Sequence, residues 1–222
     1  MSDCLILKSI SPVTHDTHHL VFDRPEDFTF EPGQGVEIAL DRDGWRDEGR
    51  PFTPISLPHE ETLEFVIKSY PDHDGVTLRI GRMAPGDAVT MEGPFGAISD
   101  EGPGVFIAGG AGVTPMIGVL RKRLHENGTL EGSTLVFANK SEADIIWRER
   151  FEEMPGLTCA FVVDEPGGRV PQQRLTRDYL RQFVEPGTRC YLCGPPPMMD
   201  AVRAALHDLG VADEDIIEED MG

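Results

Sequence analysis

Through the first hundred residues or so, apolar side chains recur at alternate positions in short stretches: CLILKSI, THHLVFDR, GVEIALDR, GRPFTPISL, TLEFVIKSY and GDAVTMEGPFG. Turns rich in proline and glycine, such as EPGQG and APGD, separate them. A period of two sends successive side chains to opposite faces of a strand, so this half is expected to form an antiparallel β-barrel. One short helix, VTLRIGRM, is expected between the fifth and sixth strands. After SDEGPG the rhythm changes. Apolar runs, VFIAG, TLVFAN, TCAFVV and RCYLCG, now alternate with helical stretches, TPMIGVLRKRLHENG, EADIIWRERFEEM, LTRDYLRQFV and PPMMDAVRAALHDLG, before a last run, DIIEEDM. Buried strands that alternate with helices predict a parallel α/β sheet. Gly128 and Gly210 stand where two of these helices should stop in the left-handed conformation. The expected organisation is a β-barrel domain at 1–101 and a Rossmann-like α/β domain at 102–222, joined near 99–104.

Charge and composition narrow the classes of partner. With 20 basic and 39 acidic residues the net charge is −19, which opposes approach to nucleic acid or an anionic membrane. No apolar run nears the roughly 20 residues a bilayer-spanning helix needs, and MSDCLILKSI lacks the build of a signal peptide. A cytoplasmic protein that neither inserts in membranes nor binds nucleic acid is therefore expected. Cys190 and Cys193 form a C-x-x-C, but on a strand residues three apart face opposite ways, so neither a metal site nor a disulfide is expected. No cysteine group has iron–sulfur spacing, and any such centre would belong to another protein.

Two glycine turns carry candidate chemistry. In AGGAGVTPM a predicted strand runs into a predicted helix, the setting in which backbone amides approach a pyrophosphate. Gly110 and Gly112 supply the turn, Val113 and Thr114 follow, and Pro115 suits the first helical turn, where its missing amide hydrogen costs nothing. CGPPPM ends a later strand, so Cys193, Gly194, Pro195 and Met198 should lie on the same carboxyl edge and complete one crevice, with the Cys193 thiol at a nicotinamide ring. In the barrel half, RPFTPIS offers groups suited to a flavin: Arg50 for a phosphate, the rigid Pro51, Phe52 for packing and Thr53 as a hydrogen-bonding hydroxyl. Gly75, Val76 and Thr77 open the short helix, where amides could hold a flavin pyrophosphate.

Taken in order, RPFT, VIKSY, GVT, GPFG, GGAGVTP and CGPPPM resemble the ferredoxin–NADP reductase superfamily of flavoproteins over nearly the whole chain. The resemblance implies a flavin-binding barrel followed by a nucleotide-binding domain. It also implies an enzyme that takes a hydride from NAD(P)H onto bound FAD and passes electrons to a protein acceptor on a separate chain. By the same resemblance Arg50, Phe52 and Thr53 contact the flavin, the backbone of Val66, Ile67 and Lys68 lies beside it, and Gly75 to Thr77 meet its pyrophosphate. Thr53 and Cys193 frame the transfer, and Glu219, which matches the family's terminal glutamate, assists proton movement. Phe52 departs from the family's usual tyrosine, and Met221 stands where several bacterial relatives carry phenylalanine. FAD is favoured over FMN by the second phosphate site at Gly75 to Thr77. NADH is favoured over NADPH because FANKSEADIIW lacks a clustered arginine pair, although Lys140 keeps NADPH open. The alternatives are a reductase of free flavin and a non-catalytic module that senses nicotinamide or flavin. The net charge favours an acceptor that is not strongly acidic, unless Arg79, Arg82, Arg121 and Arg123 form a local basic surface.

Overall fold

The alternating pattern of the first half becomes six antiparallel strands in the computed structural model, which describes residues 3–70, 73–96 and 98–218. They are β1 (Asp3–Pro12), β2 (Thr17–Asp23), β3 (Gly35–Leu40), β4 (Arg50–Phe52), β5 (Thr62–Lys68) and β6 (Ala88–Phe95), in the order β4-β3-β6-β1-β2-β5. Leu5, Leu7, Leu20, Phe22, Ile38, Leu40, Phe65 and Val89 point inward and are essentially fully buried. The sheet is barrel-like, but among the described residues no ladder closes it: β4 and β5 are its edges. Just past β4 the seam is bridged by the Ile55 amide donating to the Glu64 carbonyl at 2.8 Å and the Glu64 amide donating to Ser56 Oγ at 3.1 Å. β4 is shorter than its apolar stretch suggests because Pro51 and Pro54 have no amide hydrogen for a ladder. Helix α1 (Val76–Ile80) turns Val76 and Ile80 into the barrel core.

The second half is a parallel sheet of β7 (Val105–Gly109), β8 (Thr134–Asn139), β9 (Thr158–Val163), β10 (Cys190–Cys193) and β11 (Ile216–Glu218). Their order is β11-β10-β7-β8-β9. Helices α2 (Thr114–Asn127), α3 (Arg148–Glu152), α4 (Arg177–Leu180) and α5 (Pro196–Asp208) connect them. Gly128 and Gly210 take φ of 71° and 85°, the left-handed stop expected of them. EADIIWRERFEEM is not one helix. A 3-10 turn at Glu142–Asp144, closed by a Ser141/Asp144 capping box, gives way to extended Ile145 and to Trp147 at φ 52° before α3 begins. Its apolar spacing reflects Ile145 and Ile146 plunging into the core and Phe151 doing so again from α3. LTRDYLRQFV is likewise helical only over α4.

Helix α2 belongs to both halves. Residues Pro115 to Leu120 are all buried, and Val113, Met116, Ile117, Val119 and Leu120 share one apolar cluster with Ile55, Val66 and Ile98 of the first half. A Cβ on Gly118 would meet the Pro54 carbonyl oxygen at 3.3 Å, so the helix runs close against barrel backbone. Arg121 extends the contact, donating to the Ile55 carbonyl at 2.6 Å and to Glu60 at 2.7 Å. Arg123 pairs with Asp100 at 2.8 Å.

The segment between the two sheets is clamped by Tyr191. Its ring is fully buried and stacks on Phe106 at 4.1 Å, while its hydroxyl donates to the Gly102 carbonyl at 2.7 Å and accepts from the Glu101 amide at 2.9 Å. Burial pushes this phenol up to about 12. Tyr191→Phe keeps the stack but strands both backbone groups, so chemical denaturation should show a loss of about 1–3 kcal/mol. Unchanged stability would mean that water replaces the hydroxyl at no cost.

Candidate active site

A cleft of about 1080 Å³ runs along the carboxyl edge of the parallel sheet. Its floor is the successive strand ends: Gly109 closing β7 with Gly110 after it, Asn139 closing β8 with Lys140 after it, Asp164 just past β9, and Cys193 closing β10 with Gly194 after it. This is where an open α/β sheet holds a ligand, because the turns leaving the strands splay apart there.

The two glycine turns form one structure. A Cβ on Gly112 would collide with the backbone of Cys193 and stand 2.7 Å from the Gly194 amide nitrogen. A Cβ on Gly194 would lie 2.6 Å from Met198 Cε and 3.1 Å from the Gly109 nitrogen. Only hydrogens fit between these segments. Gly110, by contrast, has φ 52° with nothing within 4 Å of a would-be Cβ, so it makes the tight turn and keeps its backbone open to the cleft.

Of the residues predicted to hold a dinucleotide, Gly110, Gly112, Cys193, Gly194, Pro195 and Met198 line the cleft. Val113 and Pro115 do not: both are buried in the shared core, where they set the direction of α2. The Thr114 hydroxyl is engaged locally, donating to the Ala111 carbonyl at 3.0 Å. Glu219 and Met221 lie outside the described residues; just before them, Arg203 of α5 holds Glu218 through a fork at 3.0 and 2.6 Å.

The residues predicted to hold a flavin lie on the barrel. Arg50, on edge strand β4, is half exposed and reaches Glu48 loosely at 3.4 Å. Pro51 is exposed, Phe52 packs partly against the barrel core and Thr53 is buried. Gly75 caps α1 with no atom within 4 Å of a would-be Cβ, so the approach to that end of the helix is open. Arg79, on the last turn, donates from Nη2 to both carboxylate oxygens of Asp74 at 2.9 Å and covers the Trp45 ring at 4.1 Å, which pins the 41–49 loop over the helix. The arginines considered as a basic surface are therefore largely committed elsewhere: Arg79 to Asp74, and Arg121 and Arg123 to the contact between halves. Among the predicted barrel residues, Val66 and Ile67 are buried in β5, and Lys68 reaches the cleft.

Lys68 joins the two sites. Its ammonium lies 3.1 Å from Asp16 in the β1–β2 turn and 3.4 Å from Asp144 in the turn after β8, where Asp144 also accepts from the Ser141 amide and hydroxyl. Burial alone would raise both carboxyls. For Asp16, hydrogen bonds from Lys68 and Thr14 outweigh it, and for Asp144, the Ser141 hydrogen bond and the Lys68 charge do so, leaving both below the ordinary carboxylate range. Burial would lower Lys68, and the two carboxylates more than reverse that. Depressed acids stabilise the fold above their unfolded values and a raised lysine below its own, so the cluster's contribution is complete from about pH 4 to about pH 10 and is lost only beyond, as the folded-state groups themselves titrate. His15 stands 3.6 Å from Asp16 and 3.8 Å from Asp144, but Lys68 already occupies the place of a cation.

Sequence reasoning did not name Asn139, Asp144, Asp164, Arg174 or Arg177 as lining residues. Asn139 ends one predicted strand on the carboxyl edge and Asp164 directly follows another, so the rule that located Cys193 could have found them. Arg174 and Arg177 come from a loop whose return to the cleft no periodicity signals.

The description of an oxidoreductase FAD-binding domain matches residues 4–99, and that of an oxidoreductase NAD-binding domain matches residues 106–204. The chain is 30% identical to NADH-cytochrome b5 reductase 2 of Mycosarcoma maydis, over 88% of this chain and 62% of that protein. It is 28% identical to the reductase component of propane 2-monooxygenase of Mycolicibacterium goodii, over 96% of this chain and 64% of that one. The chain thus spans less than two thirds of either relative. In fold it matches a ferredoxin NADP+ reductase from Neisseria gonorrhoeae, solved with bound FAD and NADP, at a TM-score of 0.86 and 18% identity over 98% of each chain. No helix among the described residues is long and apolar enough to cross a membrane.

Proposed function

Because the chain belongs to the ferredoxin–NADP reductase superfamily, with an oxidoreductase FAD-binding domain joined to an NAD-binding domain, we propose that it is a reductase that takes a hydride from NAD(P)H onto bound FAD and passes the electrons to a separate acceptor. The observation that carries this reading is the fused pair of glycine turns at the cleft, which Lys68 of the barrel strand β5 also lines. We place the domain boundary at 101/102.

Flavin supplies the exchange between two-electron and one-electron chemistry when bound. The protein's share is positioning. Arg50 would pair with a flavin phosphate, the open first turn of α1 from Gly75 to Thr77 would receive the pyrophosphate, and Thr53 and Phe52 would hold the ring system. On the other side, Gly110 and Gly112 would present backbone to the coenzyme pyrophosphate, and Cys193 would keep a small side chain where the nicotinamide approaches. The shared core under α2 fixes these two sets of groups relative to one another. Glu219 is assigned to proton movement.

NADH is the coenzyme this reading favours. Lys140, the cation directly after β8, is drawn to Glu165 at 3.5 Å, and Asp164 adds a carboxylate that would repel a 2′-phosphate. Arg174 and Arg177 also line the cleft and supply charge for the pyrophosphate. The acceptor is a protein that is not strongly acidic, since the chain carries a net charge of −19 and its candidate basic patch is largely tied up in ion pairs. Its low cysteine count supports a cytoplasmic setting.

Denaturing the purified protein should release FAD in stoichiometric amount, and NADH added anaerobically should bleach the flavin's visible absorption faster than NADPH does. A protein that retains no flavin, or flavin that neither coenzyme reduces, would overturn the reading.

A further inference from the structure

Asn139 is the last residue of β8 and lines the cleft, yet it is only 6% exposed. Its backbone is accounted for: β8 pairs with β9 at Val163, and the Asn139 carbonyl accepts from the Asp164 amide at 3.0 Å. Its side chain is not. Both Nδ2 and Oδ1 are buried without a hydrogen-bond partner, and among the described residues no other side chain leaves two polar atoms stranded. Leu135 and Phe137, four and two residues earlier on the same face, are fully buried apolar residues, so the strand continues an apolar row into an amide at the point where it meets the cleft.

A buried amide with neither end satisfied destabilises the fold, and an apolar side chain of the same size would pack there without that cost. Because Asn139 lines the cleft, a ligand held there can supply the matching partner. A phosphate oxygen offers acceptors alone and would leave Oδ1 bare, whereas a sugar hydroxyl both donates and accepts. Asn139 also ends the strand that follows the glycine-turn helix, the place where an open α/β crevice grips a ribose.

Resting on the reading of the cleft as a coenzyme site, we propose that Asn139 is a binding residue that holds a ribose hydroxyl of the nicotinamide dinucleotide through both ends of its side-chain amide. Because the amide is uncharged, it orients the sugar without adding to the carboxylate of Asp164.

The test is Asn139→Leu on the flavin-loaded protein, with NAD+, AMP and NMN binding measured by calorimetry beside the melting temperature without coenzyme. Affinity for NAD+ should fall tenfold or more while the melting temperature stays level or rises, because the variant removes stranded polar atoms along with the contact. A matching loss for AMP assigns the contact to the adenosine ribose, and one for NMN to the nicotinamide ribose. Unchanged NAD+ affinity, with or without a lower melting temperature, would overturn the proposal and leave Asn139 a structural residue. Asn139→Ala gives the same comparison if the leucine variant does not fold. Failure of the wild-type protein itself to bind NAD+ would instead sink the coenzyme-site reading.

Discussion

Gly112→Val should weaken nicotinamide dinucleotide binding at least about a hundredfold, or about 2.7 kcal/mol, while the flavin remains on the barrel half. The obstacle is backbone: a Cβ at this position collides with Cys193 and stands 2.7 Å from the Gly194 nitrogen, and neither can move aside as the tip of a flexible side chain could. The first glycine turn must then lift off the second, and the amides that both present to the cleft lose their common geometry. Calorimetric titration with NAD+, together with the flavin absorption spectrum, separates the two effects. Undiminished binding would show that the turns can part without harm to the crevice.

The second large effect is expected in stability. Phe137 of β8 is fully buried, with the rings of Phe151 and Phe161 at 6.3 and 6.4 Å, and it lies under the strand end that carries Asn139. Phe137→Ala should lower unfolding free energy by about 3–5 kcal/mol, since the lost transfer term is joined by a cavity that three elements frame and none can fill. Urea denaturation followed by circular dichroism would measure it. A loss below about 1 kcal/mol would mean that the sheet and α3 collapse into the space.

Strand periodicity and the two glycine turns were legible because they depend on local spacing: the period of two in TLEFVIK becomes β5, and the G-x-G between VFIAG and α2 becomes the turn at the head of the cleft. EADIIWRERFEEM misled because helical spacing of apolar residues also arises when a chain inserts Ile145 and Ile146 from an extended segment and Phe151 from the next turn. The ion pairs of Arg121 and Arg123 were hidden for a different reason. Their partners, Glu60 and Asp100, are 61 and 23 residues away in sequence, and only the docking of α2 on the barrel brings them together. Lys68 was named for its backbone, but its side chain acts as a link to Asp16 and Asp144, a role that depends on the same docking.

That docking also restricts how such a protein can be recombined. The seam between the halves is interior, with Ile55, Val66 and Ile98 contributing to the cluster around α2, and Val119 standing 3.3 Å from the place a Cβ would take on Gly33. A chimera that joins this nucleotide-binding half to a foreign barrel inherits only part of a core, however well the linker is matched. The crossover that preserves folding would have to carry those barrel residues along with α2, so the unit of exchange is set by the packed seam and not by the boundary proposed at 101/102.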